Sequence, residues 1–252
     1  MTMSEIASDA VPARQRETSM FPLRVLVPIR FPARVTYGLI ALNVIVFLLQ
    51  GSLSEASQHA YTFTYGLVPA RYMHPQWALR TGLSPVNYLP FLTNAFMHGN
   101  WLHLAVNMWT LWLFGPAVED RLGSIRYLVF YLTCAAVASA AHTWMNVDST
   151  VPALGASGPV AGVLGASIGL FPFSNVWILV PVIFIPLFFA VPAFVFIALW
   201  FILQLVQGLG STLIPQEAAI AWWAHIGGFL AGMVMAPLLC LSLKAYRHRF
   251  AD

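Results

Sequence analysis

Long apolar runs, separated by shorter polar stretches, dominate the chain. Runs of this length and composition predict membrane-spanning helices. We expect six, at residues 35–50, 101–118, 125–145, 157–170, 190–206 and 222–243. The start of the fifth span stays open, because the apolar stretch 176–189 contains prolines that interrupt helices. The pattern therefore predicts an all-α membrane protein with six transmembrane helices.

Three regions follow from the same pattern. Residues 1–34 form a basic N-terminal tail, residues 35–243 the six-helix transmembrane domain, and residues 244–252 a short C-terminal tail. Residues 51–100, between the first two spans, are too polar and too often interrupted by Pro and Gly to cross lipid. We expect a structured loop there, lying at the membrane surface outside the cytoplasm.

Composition supports the membrane assignment. Hydrophobic residues make up 59% of the chain and charged residues only 8%, whereas a soluble domain has about 25% charged residues. The net charge of +3 does not indicate nucleic-acid binding, since the twelve Lys and Arg are not gathered on one face. The two cysteines, Cys134 and Cys240, lie inside apolar runs and are interpreted as small core residues.

The basic residues also predict an orientation. Arg14, Arg16, Arg24, Arg30 and Arg34 precede the first span, and further basic residues flank the joint between spans two and three and follow span six. With six crossings all these places lie on one side. We therefore expect a multi-pass protein of the plasma (inner) membrane with both termini in the cytoplasm.

The fourth span is too short for a bilayer. It begins at Ser157 and ends before Pro172, so its 14 or so residues reach ~21 Å against a hydrocarbon thickness of ~30 Å. If the far end reaches its interface, Ser157 lies below the opposite surface. Two interpretations of this serine are open: a residue that caps and packs a helix start, or a nucleophile in a water-filled depression.

Spans four and six share a spacing of small residues that lets helices approach closely. The packing candidates are Gly158, Gly162, Gly165, Gly228 and Gly232. His225 lies one turn before Gly228 on the same face, so contact between the glycine faces would place Ser157 beside His225. A histidine inside a membrane is more often functional than structural, although an interhelical hydrogen bond alone stays possible.

A third polar group occurs in "FMHGNWLHLAVN". His103 and Asn107 are four residues apart on span two, and His98 lies just before it. The three side chains suit an oxyanion site, or a buried polar network that only joins helices.

Serine with histidine is the minimal pair of nucleophile and general base. Because no Asp or Glu lies well inside any span, a dyad is favoured over a triad. The same absence argues against aspartyl proteolysis, and no H-E-x-x-H motif indicates a zinc site.

From about residue 36 the chain resembles the rhomboid family of intramembrane serine proteases. The matching segments are "TYGLVPARY", "FMHGNWLHLAVNMWTLWLFGPAVEDRLG", "GASGPVAGVLGASIGLFP" and "WWAHIGGFLAG". The resemblance implies a rhomboid-like bundle with Ser157 as nucleophile and His225 as base. It implies an oxyanion site formed by His103, Asn107 and the backbone N–H of Ser157, with His98 in support.

The resemblance further implies cleavage of single-pass membrane proteins near the extracytoplasmic face, access beside the fifth helix, and no cofactor or metal. One position departs from the pattern: Ala161 stands where some rhomboids place an aromatic ring on the catalytic histidine. Support for His225 must then come from elsewhere, and Trp222 and Trp223 are candidates.

The sequence thus predicts an intramembrane serine endopeptidase. The alternative is a catalytically silent relative that binds or chaperones transmembrane helices. A transporter or channel finds little support, since no chain of intramembrane charges is present. The physiological substrate and the oligomeric state are not predicted.

Overall fold

The computed structural model describes residues 25–182, 185–213 and 221–241. These residues are mostly helical. The longer helices are α1 (Arg34–Gly51), α2 (Glu55–Tyr65), α6 (Trp101–Leu122), α7 (Ser124–Met145), α8 (Ser157–Leu170), α9 (Ala193–Leu213) and α10 (Trp222–Leu241). Short helices α3 (Ala70–Met73), α4 (Pro75–Arg80) and α5 (Pro90–Thr93), with a 3₁₀ turn at Asn94–Phe96, lie in the first loop.

Three of the described helices are long and apolar enough to cross a membrane. They are α1, α7 and the part of α10 from Trp222 to Cys240. Two shorter apolar helices accompany them, Ser157–Leu170 and Ala193–Val206. The chain is therefore a largely helical membrane protein.

The structure departs from an all-α protein between α8 and α9. Strands β1 (Asn175–Val182) and β2 (Ile185–Pro192) pair antiparallel, with Asn175 opposite Pro192. Branched residues alternate along β1 and favour a strand, whereas Pro181 and Pro186 would break a helix. As a result α9 begins at Ala193 rather than at residue 190.

Helix α8 lies at the centre of the bundle. Every residue from Gly158 to Ser167 is buried, which fits a helix that is apolar on all sides. Helices α6, α7, α9 and α10 surround it. Its bounds, Ser157–Leu170, equal those expected from the sequence.

Small residues set the distance between α8 and α10. A Cβ added to Gly228 would overlap the carbonyl oxygen of Gly158, and one added to Gly232 would overlap that of Gly162. On another side, a Cβ at Gly158 would lie 2.6 Å from the Cβ of Ala138 on α7. The helices therefore meet backbone to backbone at these positions.

Three other predicted small residues also lie on the packed helices α7, α8 and α10. A Cβ on Gly165 would overlap the carbonyl oxygen of Phe229 on α10. Cys134 of α7 is fully buried against Gly162, and Cys240 is partly buried; both are free thiols.

Carboxylates at the end of α6 hold the chain before α1. Glu119 accepts hydrogen bonds from the backbone N–H groups of Val35 (3.0 Å) and Thr36 (2.8 Å) and from the Thr36 hydroxyl (2.8 Å). Asp120 accepts from the N–H groups of Arg30 and Phe31, both at 2.9 Å. Because Ala33 offers no side-chain cap, Glu119 takes over the capping of α1 from another helix.

A buried arginine organises the first loop. Arg71 is 2% exposed; its Nε donates to the Ser84 carbonyl at 2.8 Å and its Nη1 to the Thr64 carbonyl at 3.2 Å. The loop is thus a folded unit built around Arg71, as the sequence led us to expect of a structured loop. Arg14, Arg16, Arg24 and the C-terminal tail 244–252 lie outside the described residues.

Candidate active site

Ser157 is the first residue of α8. The N-cap is Ala156, which makes no side-chain cap, so the Ser157 hydroxyl is not the helix cap that one interpretation of the sequence required. Pro159 falls in the first turn, where backbone N–H groups have no intrahelical partner. The hydroxyl is therefore available for another partner.

The first loop supports the non-helical chain that leads to Ser157. Leu67 and Ala153 exchange backbone hydrogen bonds of 3.1 and 2.8 Å, and the Gly155 N–H donates to the Asn94 carbonyl at 2.9 Å. Irregular backbone at membrane depth needs such partners from the protein. The first loop thus provides hydrogen-bond partners for the backbone that leads to Ser157.

Gly155 is required by both its conformation and its neighbour. Its φ is +134°, a value that side chains rarely allow. A Cβ there would lie 2.6 Å from Cε1 and 2.8 Å from Nε2 of His103, and 3.5 Å from the Ser157 Oγ. His103 is therefore pressed against the residue that comes two positions before the serine.

His225, in the first turn of α10, lies beside Ser157. Its Nε2 is 2.8 Å from the Ser157 Oγ, the distance of a good hydrogen bond. The two residues are 68 positions apart in the chain, and the glycine contacts of α8 with α10 bring them together. The pair has the geometry of a nucleophile and its base.

The other ring nitrogen of His225 contacts helix α9. Nδ1 lies 2.6 Å from the Oε1 of Gln204, a side chain that is only 8% exposed. Gln204 was not predicted from the sequence. Its one signal is a lone amide on an apolar helix, which sequence alone does not connect to His225.

Two tryptophans flank the imidazole. Trp222 meets it edge-on, with ring centroids 5.8 Å apart at 90°, and Trp200 of α9 lies at 6.2 Å and 35°. Trp222 is one of the two candidates that the sequence offered. The ring is thus held by aromatic groups on α9 and α10, while Ala161 on α8 is fully buried.

The three polar residues at the start of α6 and just before it divide into two groups. His103 lines the same cavity as Ser157 and His225. Asn107 and His98 are buried instead against each other, with the Asn107 Nδ2 at 3.1 Å from the His98 Nε2. The rings of His98 and His103 meet edge-on at 5.2 Å, so His98 joins Asn107 to His103.

Ser157 and His225 line a cavity of about 420 Å³. Besides Ser157, His103 and His225, its walls include Asn100 of the α6 N-cap and Pro152 of the chain before α8. Among residues 25–182, 185–213 and 221–241, no three His, Cys, Asp or Glu side chains are grouped so that they could hold a metal ion. The arrangement can activate a hydroxyl for acyl transfer.

This site and the helical fold define a candidate serine hydrolase inside a membrane. The sequence profile of the Rhomboid domain family matches residues 86–242, and the chain belongs to that family. Rhomboids are generally intramembrane serine proteases that act on transmembrane substrates.

Individual relatives agree with this membership. The chain is 25% identical over 222 residues to "Rhomboid protein 1, mitochondrial" of Saccharomyces cerevisiae, covering 86% of this chain and 57% of that protein. It is 29% identical over 151 residues to "Rhomboid-like protein 11, chloroplastic" of Arabidopsis thaliana, covering 59% and 51%. It is 31% identical over 158 residues to "Presenilin-associated rhomboid-like protein, mitochondrial" of Homo sapiens, covering 62% and 36%.

The chain thus spans between about a third and three fifths of the length of these relatives. Their names also correct one expectation. The plasma-membrane location expected from the sequence is contradicted, because these relatives are mitochondrial or chloroplastic proteins. Basic residues report which chain segments share a side of a membrane, but they carry no information on which membrane that is.

Proposed function

We propose that this protein is an intramembrane serine endopeptidase that uses Ser157 and His225 as a dyad. The observation that carries the proposal is the 2.8 Å contact between the Ser157 Oγ and the His225 Nε2 beside a cavity. The family supports it, because rhomboids are generally serine proteases.

In the proposed reaction the Ser157 Oγ attacks the scissile carbonyl while its proton passes to the Nε2 of His225. The imidazolium then gives that proton to the leaving amine, and an acyl-enzyme remains. Water attacks the acyl carbon, again with His225 as base, and the free hydroxyl of Ser157 is restored.

The negative charge on the carbonyl oxygen needs donors. We assign this role to His103, Asn107 and the backbone N–H of Ser157, with His98 in support. His103 lines the cavity directly. Asn107 and His98 contact each other behind His103. The N-terminal ends of α6 and α8 add positive potential on the same side.

We propose that α6, α8 and α9 complete six membrane crossings together with α1, α7 and α10, in a transmembrane domain at 35–243 between tails 1–34 and 244–252. A 14-residue α8 then sets Ser157 below the surface on which the loop 51–100 lies. Substrates would be single-pass transmembrane proteins cut near that surface, with surrounding lipid as the medium.

The test uses the full chain in liposomes with a fluorogenic single-pass substrate. Ser157→Ala and His225→Ala should each abolish cleavage. Ser167→Ala is the matched control, because this buried serine of the same helix only donates to the Val163 carbonyl at 2.8 Å; its activity should be retained. Cleavage by Ser157→Ala at the wild-type rate would refute the dyad.

A serine-directed fluorophosphonate separates the proposal from the silent alternative. The active enzyme should be labelled at Ser157, and labelling should be lost in His225→Ala. A folded protein that neither cleaves nor takes up the probe would instead be a catalytically silent, helix-binding rhomboid.

A further inference from the structure

Gln204 is a buried polar side chain whose neighbours in the sequence are exposed apolar residues. On α9 the neighbouring Leu203 is 59% exposed and Ile202 is 53% exposed, whereas Gln204 is 8% exposed. Its amide points inward to His225, 21 residues away. A buried polar group in such a helix needs a partner, and here that partner is the Nδ1 of the imidazole.

The contact selects one tautomer of His225. The Oε1 atom lies 2.6 Å from Nδ1, and an amide oxygen can only accept a hydrogen bond. The contact is a hydrogen bond only if Nδ1 carries the proton. The lone pair of the neutral ring is left on Nε2, which faces the Ser157 Oγ at 2.8 Å.

Only this tautomer can act as the base. With the proton on Nε2 instead, the ring would donate to Ser157 and could not take its proton. In a triad the orienting acid serves the same purpose, and loss of the correct tautomer there costs ~10⁴-fold in kcat. A neutral amide orients the ring without burying a second charge in the membrane.

We propose that Gln204 is the positioning residue of the active site: it holds His225 in the Nδ1–H tautomer and aims Nε2 at Ser157. This inference rests on the proposed dyad. Phe201 on the preceding turn of α9 stacks on Phe229 of α10 at 4.1 Å, and so keeps the two helices in the register that the contact needs. Gln204 thus does for His225 what a carboxylate does in a triad.

Substitutions that separate hydrogen bonding from packing test the proposal. Gln204→Leu keeps the size without an acceptor, and Gln204→Glu keeps an oxygen acceptor. Since the lost contact is with a neutral amide, we expect Gln204→Leu to lower kcat about 10- to 100-fold with KM unchanged. Gln204→Glu should retain most of the wild-type kcat.

A purely structural role predicts the reverse order. In an apolar helix Leu should then be tolerated and Glu should be harmful, so that order of activities would overturn the proposal. Leu238→Met, an exposed residue near the far end of α10, is the control and should leave cleavage unchanged. If Gln204→Leu does not fold, Gln204→Met offers a flexible side chain of similar length that also lacks an oxygen acceptor.

Two further measurements separate this inference from the dyad itself. The fluorophosphonate labelling rate of Ser157 needs no transmembrane substrate, and it should fall in Gln204→Leu by the same factor as kcat. Nitrogen NMR of ¹⁵N-histidine protein, assigned with His225→Ala, should show Nδ1–H in the wild type and loss of that preference in Gln204→Leu.

The outcomes are distinct. A wild type that cleaves, with an inactive Ser157→Ala and a fully active Gln204→Leu, overturns the role of Gln204 and leaves the dyad intact. A wild type whose His225 carries its proton on Nε2 overturns it by a measurement independent of cleavage. If Ser157→Ala cleaves as the wild type does, the proposed function and this inference both fail.

Discussion

An alanine at Gly228 should separate the two helices that hold the dyad. The added Cβ would overlap the carbonyl oxygen of Gly158, well inside the 3.0 Å that real Cβ contacts observe. The atoms that the added Cβ would meet all belong to the backbone of Gly158. The clash therefore cannot be relieved by turning a side chain away. The helices must move apart by roughly 1 Å to restore normal contact.

The expected loss of activity follows from the distance. The Ser157–His225 contact of 2.8 Å would lengthen to roughly 3.8 Å, beyond hydrogen-bonding range. A displacement of this size costs about 10²-fold in rate. Overpacking should also lower the free energy of unfolding by about 1–3 kcal/mol.

Cleavage of a single-pass substrate in liposomes and unfolding in detergent measure the two effects. Gly38→Ala on α1 is the control, because a Cβ there meets nothing within 4 Å. That variant should keep full activity, and an alanine in a helix interior can only help the helix. Wild-type activity and stability in Gly228→Ala would refute the close contact of α8 and α10.

Three further predictions concern the supports of the site. Gly155→Ala should abolish most cleavage because the added Cβ would lie 2.6 Å from the His103 ring. Gly82→Ala is the control for backbone strain alone, since Gly82 has a φ of +78° but nothing within 4 Å of an added Cβ, and it should stay active. Equal cleavage rates in the two variants would contradict the clash. Glu119→Ala removes the acceptor of the first N–H groups of α1, so the free energy of unfolding should fall by about 2–4 kcal/mol. Denaturation in detergent measures this loss, and an unchanged free energy of unfolding would mean that water replaces the carboxylate. Burial raises the pKa of Tyr72 in the first loop from 10.0 to about 12. The stabilisation from the neutral phenol should therefore be complete below pH ~10 and be lost as the pH rises through the folded-state pKa. In a series of melting temperatures at alkaline pH, Tyr72→Phe should remove this pH dependence, and an unchanged pH dependence would exclude Tyr72 as its source.

The family and the helical membrane character could be predicted from the sequence because both depend on local patterns. Apolar runs of sufficient length predict helices, and the bounds of α8 follow from Ser157 at one end and Pro172 at the other. The spacing of Gly228 and Gly232 after His225 also predicts which face of α10 can approach another helix closely. Each of these inferences uses residues within about one helix of each other.

The hairpin between α8 and α9 was not predicted, although its two strands are adjacent in the chain. An apolar stretch with prolines is compatible with an interrupted helix or with a strand pair, and the choice depends on a partner strand. The structure supplies that partner in β2 and pairs Val25 with Val176 on the other side of β1.

Motifs and apolar runs in the amino-acid sequence were enough to predict a membrane protein of the rhomboid family with Ser157 and His225 as a candidate pair. The contact of the second ring nitrogen of His225 depends instead on how α9 packs against α10. Gln204, 21 residues before His225 on a separate helix, has no periodic relation to it, and Glu119 caps α1 from 83 residues away. Such contacts arise from how helices pack against each other, and no local pattern of residues encodes them.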